Sequence, residues 1–181
     1  MGLRNPKKII INGQRLTEIL AAHTLFVSGK PGGVLADLSS ADLTGADLRE
    51  LVFARSVLRG ARFDGSDCRT AKFTTCDAAQ ASFRNCDLRN CDFTEANCSG
   101  SDMTSALASG CEFFRCDLTA VRAQKANFRG SNLRLAKLAG ADFSFADMNI
   151  VSLREVDLSQ SRLEGADTST AVFHAGNKAI R

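Results

Sequence analysis

The 181-residue sequence has no tryptophan, no tyrosine, two prolines and two histidines. His23 and His174 sit near opposite ends of the chain, so no Ser-His-Asp or Cys-His nucleophile can be assembled from them. The same scarcity leaves the cysteines without the imidazole partners of a zinc site. No apolar run approaches the ~20 residues of a membrane-spanning helix. The basic start, MGLRNPKKIII, carries only Ile9-Ile10-Ile11, too short for the apolar core of a signal peptide. Pro6 breaks the myristoylation pattern that Gly2 would open. A formal net charge of +3 does not by itself call for a nucleic-acid partner. These absences lead us to expect a cytoplasmic chain with no membrane association. What is abundant is narrow in kind: 12 Phe, 14 Gly and 7 Cys within a composition that is 44% hydrophobic. So one-sided an aromatic set suggests a repetitive interior rather than a cofactor pocket.

The repeat is visible at residues 36–48, ADLSSADLTGADL, where Ala-Asp-Leu recurs every five residues. Taking each Leu as position i and stepping by five from Leu38 reaches Phe173 through 28 pentads without an insertion. Position i is mostly Leu or Phe, position i−2 is small except at Leu51, Val121, Val151 and Val156, and position i−1 is Asp 13 times. Positions i+1 and i+2 are rich in Ser, Thr, Arg and Gly. Apolar i−2 and i around a polar i−1 is strand alternation over three residues. The two residues that follow are turn formers. Each pentad therefore reads as a short extended segment and a corner, which can bury its apolar side only by coiling and stacking.

The pattern resembles the pentapeptide repeat family, with its motif A(D/N)LXX, over residues 36–175. The resemblance implies an all-β solenoid, a right-handed quadrilateral (four-sided) parallel β-helix with four pentads per coil. The 28 pentads then make about seven coils, a rod roughly 30–35 Å long at the ~4.8 Å sheet spacing.

Three segments follow: an N-terminal leader with a capping α-helix at 1–33, the repeat at 34–175 and a tail at 176–181. QRLTEILAAHTLFVSG places Leu16, Ile19, Leu20, His23, Phe26 and Val27 near one helical face, and SGKPGG ends it. The tail is short, so the last coil, with Leu153, Val172 and Phe173, is the expected face of an end-to-end homodimer, an arrangement known for some relatives.

All seven cysteines fall on inward positions: Cys68 and Cys98 at i; Cys76, Cys86, Cys91, Cys111 and Cys116 at i−2. They read as small apolar fillers with free thiols, although Cys91 and Cys111 are close enough in register to bridge. The Asp residues recur once per pentad, unlike a catalytic pair in one pocket; no metal, cofactor, small-molecule substrate or catalysis is expected. Arg49, Arg69, Arg89 and Arg129 fall on one face beside Asp47, Asp67, Asp87, Asp147 and Asp167. This is a charge ladder, either for docking a partner or as a self-neutralised solvated face. Five outward positions are unexpectedly apolar, Leu107, Phe114, Leu135, Phe145 and Ile150, and form the candidate partner surface. A register change at TSALASG would instead turn Leu107 inward.

Three function classes follow. The first is a non-enzymatic scaffold presenting the faces of the rod to a protein partner. The second, implied by the family, is a DNA mimic that binds DNA gyrase or topoisomerase and modulates it or protects it from quinolones. Mimicry calls for an anionic surface, yet residues 36–175 hold 19 acidic and 16 basic residues, and loop insertions found in several gyrase-protecting relatives are missing. The third, direct nucleic-acid binding through Arg4, Lys7, Lys8 and Arg15, is disfavoured because Asp matches the basic residues and no stacking platform is apparent.

Overall fold

The computed structural model describes residues 2–173; His174 and the 176–181 tail lie outside the described residues. A 3₁₀ turn at Pro6–Lys8 leads into an antiparallel hairpin of β1 (Ile10–Ile11) and β2 (Gln14–Arg15). Asn12 and Gly13 have φ of 50° and 83°, the two positive values that a tight I′ hairpin turn requires. This hairpin adds to the helix foreseen in the leader. Helix α1 then spans Leu16–Val27. Glu18 turns back to accept the Arg15 backbone N–H at 3.3 Å, satisfying one of the free donors at the helix start. Leu16, Leu20 and His23 are its buried residues. Leu16 and Leu20 join the same apolar cluster as Leu38 and Leu43 of the repeat. Gly33 lies against the helix backbone: a Cβ there would sit 2.3 Å from the Phe26 nitrogen, so no other residue fits.

From residue 36 the chain coils. The middle residues of pentads pair in parallel with those 20 positions on, from Asp37↔Val57 to Asp147↔Asp167. The last such pairing joins β3 (Ser152–Leu153) to β4 (Val172–Phe173). Turns recur every five residues, so each circuit has four corners and four flat faces. Face 1 starts at residues 36–40, face 2 at 41–45, face 3 at 46–50 and face 4 at 51–55, each continued by the residues 20 further along.

The corners explain the sequence motif. The N–H of each new pentad bonds the carbonyl of the previous i residue, as Ala41 does to Leu38 at 3.0 Å. From Ser40 to Glu155 the i+2 residue has positive φ, the mark of a type II turn. The i−1 Asp accepts the N–H two residues on, for example Asp102 from Thr104 and Asp117 from Thr119, both at 3.0 Å. Asp therefore recurs because its side chain fixes the next corner.

Inside, Phe53, Phe73, Phe93 and Phe113 stack in line along face 4, with centroids 5.1, 4.6 and 5.0 Å apart. Phe63 and Phe83 do the same on face 2 at 4.8 Å and meet the first column edge-on. All seven cysteines are buried and free.

The repeat departs from regularity between residues 137 and 160. The Lys137–Asp157 pairing is missing, and Gly140 N–H bonds the Gln160 carbonyl at 3.1 Å in place of residue 159. Val156 occupies an i−2 position that Ala36, Ser56, Cys76, Ala96, Cys116 and Ala136 fill elsewhere on face 1. A cavity of about 400 Å³ lies beside this segment.

Candidate functional site

On face 3, Arg49, Arg69 and Arg89 each grip the Asp two residues before them with two hydrogen bonds. Nε–Oδ1 and Nη2–Oδ2 are 2.8 and 2.7 Å for Arg49–Asp47, 2.9 and 2.7 Å for Arg69–Asp67, and 2.8 and 2.6 Å for Arg89–Asp87. Each of the first two guanidiniums also approaches the next Asp along the face, at 3.7 and 3.6 Å. The Arg49 and Arg69 guanidiniums hold the carboxyls of Asp47 and Asp67 below their ordinary range. This half of the ladder is therefore neutralised from within.

The ladder stops at Leu107, which takes the Asp position between Asp87 and Asn127. Leu107 is 45% exposed and Ala108 fully buried, so TSALASG keeps its register and Leu107 points outward. Beyond it Arg129 is exposed and has no carboxylate within ion-pair distance among the described residues. Its backbone N–H is held by Asn127 at 2.9 Å. Asp147 and Asp167 are tied instead by the Asn149 amide, at 3.0 and 2.6 Å.

The five apolar candidates do not form one patch. Phe145 and Ile150 occupy the corners at the two sides of face 3 in one circuit, 58% and 52% exposed, with Leu107 two circuits earlier on that face. Phe145 lies over Gly165. Phe114 sits on face 4 with the guanidiniums of Arg115 and Arg134 over its ring, at 5.0 and 5.8 Å. Leu135, half-buried, marks the corner between faces 4 and 1. Leu135, Phe145 and Ile150 all have positive φ, near 60°, a strained conformation for such side chains and most of all for β-branched Ile150. At the proposed dimer end, Leu153 is fully buried beneath Phe173. That corrects its place at an exposed end; Val172 and Phe173 are the residues that reach the surface.

One charged cluster is invisible in the linear pattern. On face 2, Arg84 and Arg122 converge on Asp102 at 2.9 and 3.2 Å from neighbouring circuits. Burial alone would raise the Asp102 pKa, but hydrogen bonds from Thr104 and the two guanidiniums hold it low. The sequence separations of 18 and 20 residues acquire meaning only once the coil exists.

No group of His, Cys, Asp and Glu among the described residues is arranged to hold a metal, and no helix is long and apolar enough to cross a membrane. Burial raises the Cys111 thiol pKa to about 12 and those of Cys76, Cys86 and Cys91 as well, the opposite of an activated nucleophile. What the geometry defines is a repeat rod with flat, polar, laddered faces. The family model for pentapeptide repeats matches eight copies over residues 36–74, 71–107 and 111–149, more than half of the chain. The chain belongs to the pentapeptide repeat family.

Among solved structures, a trypsin-treated variant of QnrB1, a plasmid-mediated fluoroquinolone resistance protein, superposes with a TM-score of 0.55. It shares 19% identity, over 81% of this chain and 88% of the other. HetL, a pentapeptide repeat protein involved in heterocyst differentiation regulation in the cyanobacterium Nostoc sp. strain PCC 7120, matches at 20% identity over 80% and 87%, with a TM-score of 0.33. A pentapeptide repeat protein of the Arabidopsis thaliana thylakoid lumen matches at 26% identity over 58% and 66%, with a TM-score of 0.35. No curated protein matches the chain in sequence.

Proposed function

We propose that this chain is a non-enzymatic interaction protein that docks a protein partner on face 3 where the charge ladder ends. In this reading residues 1–33 cap the first of about seven right-handed coils. The carrying observation is the break in pattern at Leu107, Phe145 and Ile150. Three large apolar side chains stand exposed where the repeat otherwise places polar residues, and two of them hold a strained backbone. The three lie on or at the sides of face 3, in the circuits before and after that of the unpaired Arg129. A partner offering an apolar surface and a carboxylate would match this area. The paired Arg49–Asp47, Arg69–Asp67 and Arg89–Asp87 rungs then serve as a rigid, neutral shoulder. A photo-crosslinking residue placed at 145 should capture one discrete partner in cells, and the same residue at 75 should not. Equal labelling from both positions would remove this reading.

The fold likeness to a fluoroquinolone resistance protein favours a second reading, a DNA mimic acting on DNA gyrase or topoisomerase. The charge distribution argues against it: arginines on faces 2 and 3 already neutralise Asp47, Asp67, Asp87 and Asp102, leaving Glu50, Asp147 and Asp167 as the anionic remainder of face 3. Titration into a gyrase supercoiling and cleavage assay, with and without a fluoroquinolone, separates the two. Inhibition or protection at micromolar protein would install the mimic; no effect leaves the scaffold. An end-to-end homodimer through Val172 and Phe173 is compatible with either reading, as is a cytoplasmic setting, where buried thiols stay reduced.

A further inference from the structure

The repeat begins with an open β edge, which the leader covers in part. On face 2 the Arg4 guanidinium donates to the carbonyls of Asp42 and Thr44 at 3.3 and 3.0 Å. On face 3 the Arg4 backbone exchanges hydrogen bonds with Gly45 and Asp47 at 2.7 and 2.9 Å. Between faces 4 and 1 His23 is wedged in: its Nδ1 accepts the Ala36 N–H of face 1 at 3.1 Å and its Nε2 donates to the Ala54 carbonyl of face 4 at 2.7 Å. The leader makes no such bond to the middle of face 1. The backbone N–H and carbonyl of Asp37 have no partner among the described residues, nor do those of Val52 on face 4; Asp37 is exposed and adjoins a cleft. Beside this edge lies a cleft of about 300 Å³ with Ile11, Ile19, Val34 and Leu35 in its walls and Glu18 and Asp37 at its rim. Val34 is 62% and Leu35 39% exposed. Asp37 has no basic partner, and Glu18 only the solvent-exposed Arg15 at 3.4 Å.

An open strand edge, an apolar slot and two rim carboxylates select an extended segment with an aliphatic side chain between basic ones. The chain itself contains such a segment: Lys178-Ala179-Ile180-Arg181. We propose that the cleft between α1 and face 1 receives residues 178–181 of a second copy, with Ile180 in the apolar slot and Lys178 and Arg181 against Asp37 and Glu18. Insertion within one molecule is excluded by reach. Six circuits at ~4.8 Å separate the Phe173 circuit from the cleft, about 29 Å, whereas seven extended residues bring Ile180 at most about 25 Å. The contact is head-to-tail, so copies would add in an open series rather than close into a pair. It is independent of the face 3 reading.

The test is a ¹⁵N-HSQC titration of the full chain with the acetylated peptide GNKAIR. One aliphatic anchor and two rim ion pairs correspond to a dissociation constant on the order of 1 mM. Saturable shifts are expected at Ile11, Ile19, Val34, Leu35 and Asp37. They should be lost with the peptide GNKADR and with Val34→Asp, and weakened several-fold with Asp37→Asn. Val34 and Asp37 are exposed, so both variants should keep the parent's spectrum elsewhere. The same resonances should move when the full chain is diluted from millimolar to micromolar concentration, and should not move in Ile180→Asp. No shift at the cleft, equal shifts from GNKADR, or shifts confined to other faces would overturn the proposal.

Discussion

The aromatic columns make the core's contribution measurable at single residues. Phe73 and Phe128 are both fully buried, so simple burial predicts similar losses on truncation to Ala, about 3–5 kcal/mol. Their surroundings differ. Phe73 meets four rings: Phe53 and Phe93 stacked at 5.1 and 4.6 Å, Phe63 and Phe83 edge-on at 5.7 and 5.8 Å. Phe128 meets two, Phe113 at 5.6 Å and Phe143 at 5.4 Å. Each aromatic pair is worth about 0.5–1.5 kcal/mol beyond its area, so two additional pairs separate the variants by about 1–3 kcal/mol. Phe73→Ala should then cost about 5 kcal/mol and Phe128→Ala about 3 kcal/mol. Urea denaturation followed by circular dichroism measures both, with an unchanged m value showing that whole-rod unfolding is being compared. Equal losses, or a larger loss at Phe128, would refute the idea that the columns stabilise the rod beyond apolar burial.

Three other outcomes follow from the same geometry. Nine Asp carboxyls, among them Asp37, Asp42, Asp117 and Asp142, are held below their ordinary pKa by hydrogen bonds from the corner two residues on or by guanidiniums. Depressed folded-state values contribute stability above the unfolded pKa of about 3.9 and lose it as pH falls further. Glu112, raised by burial, acts the other way but stands alone; the urea midpoint should therefore fall between pH 5 and pH 3, and a flat profile would sink this account. The seven thiols should resist Ellman's reagent in the native protein and all react in denaturant; prompt reaction of any one would contradict its burial. Ile150→Gly should leave stability unchanged or raise it by about 1 kcal/mol, because Gly adopts the positive φ without strain, while removing the residue-150 contribution to partner capture; a loss above about 1 kcal/mol would mean that Ile150 supports the fold.

Much of the architecture was legible because a five-residue period repeated without an insertion admits few structures. The inward assignment of Leu38, Phe53 and all seven cysteines needed only the alternation within a pentad. The outward position of Leu107 followed from the same register, and so did the shared face of Arg49, Arg69 and Arg89. The hairpin at Asn12-Gly13 was open to reading as well, since that pair between an apolar run and the helix is a strong turn signal. The Asp102 cluster was not, because Arg84 and Arg122 become its neighbours only through stacking. Nor was the scatter of the apolar residues, since Leu107 to Ile150 fall together in the C-terminal half of the sequence while the coil spreads them over face 3, face 4 and three corners.

By itself the sequence determined the repeat, its register and the identity of the core, because side-chain alternation and turn chemistry are local and recur in every pentad. The tertiary structure decided that Arg84 and Arg122 share Asp102, that Arg129 has no ion-pair partner among the described residues, where the ladder is interrupted near Asp157, and which backbone groups of the first coil Arg4 and His23 bond. Those outcomes depend on distances between residues well separated in sequence, which only the closed coil sets.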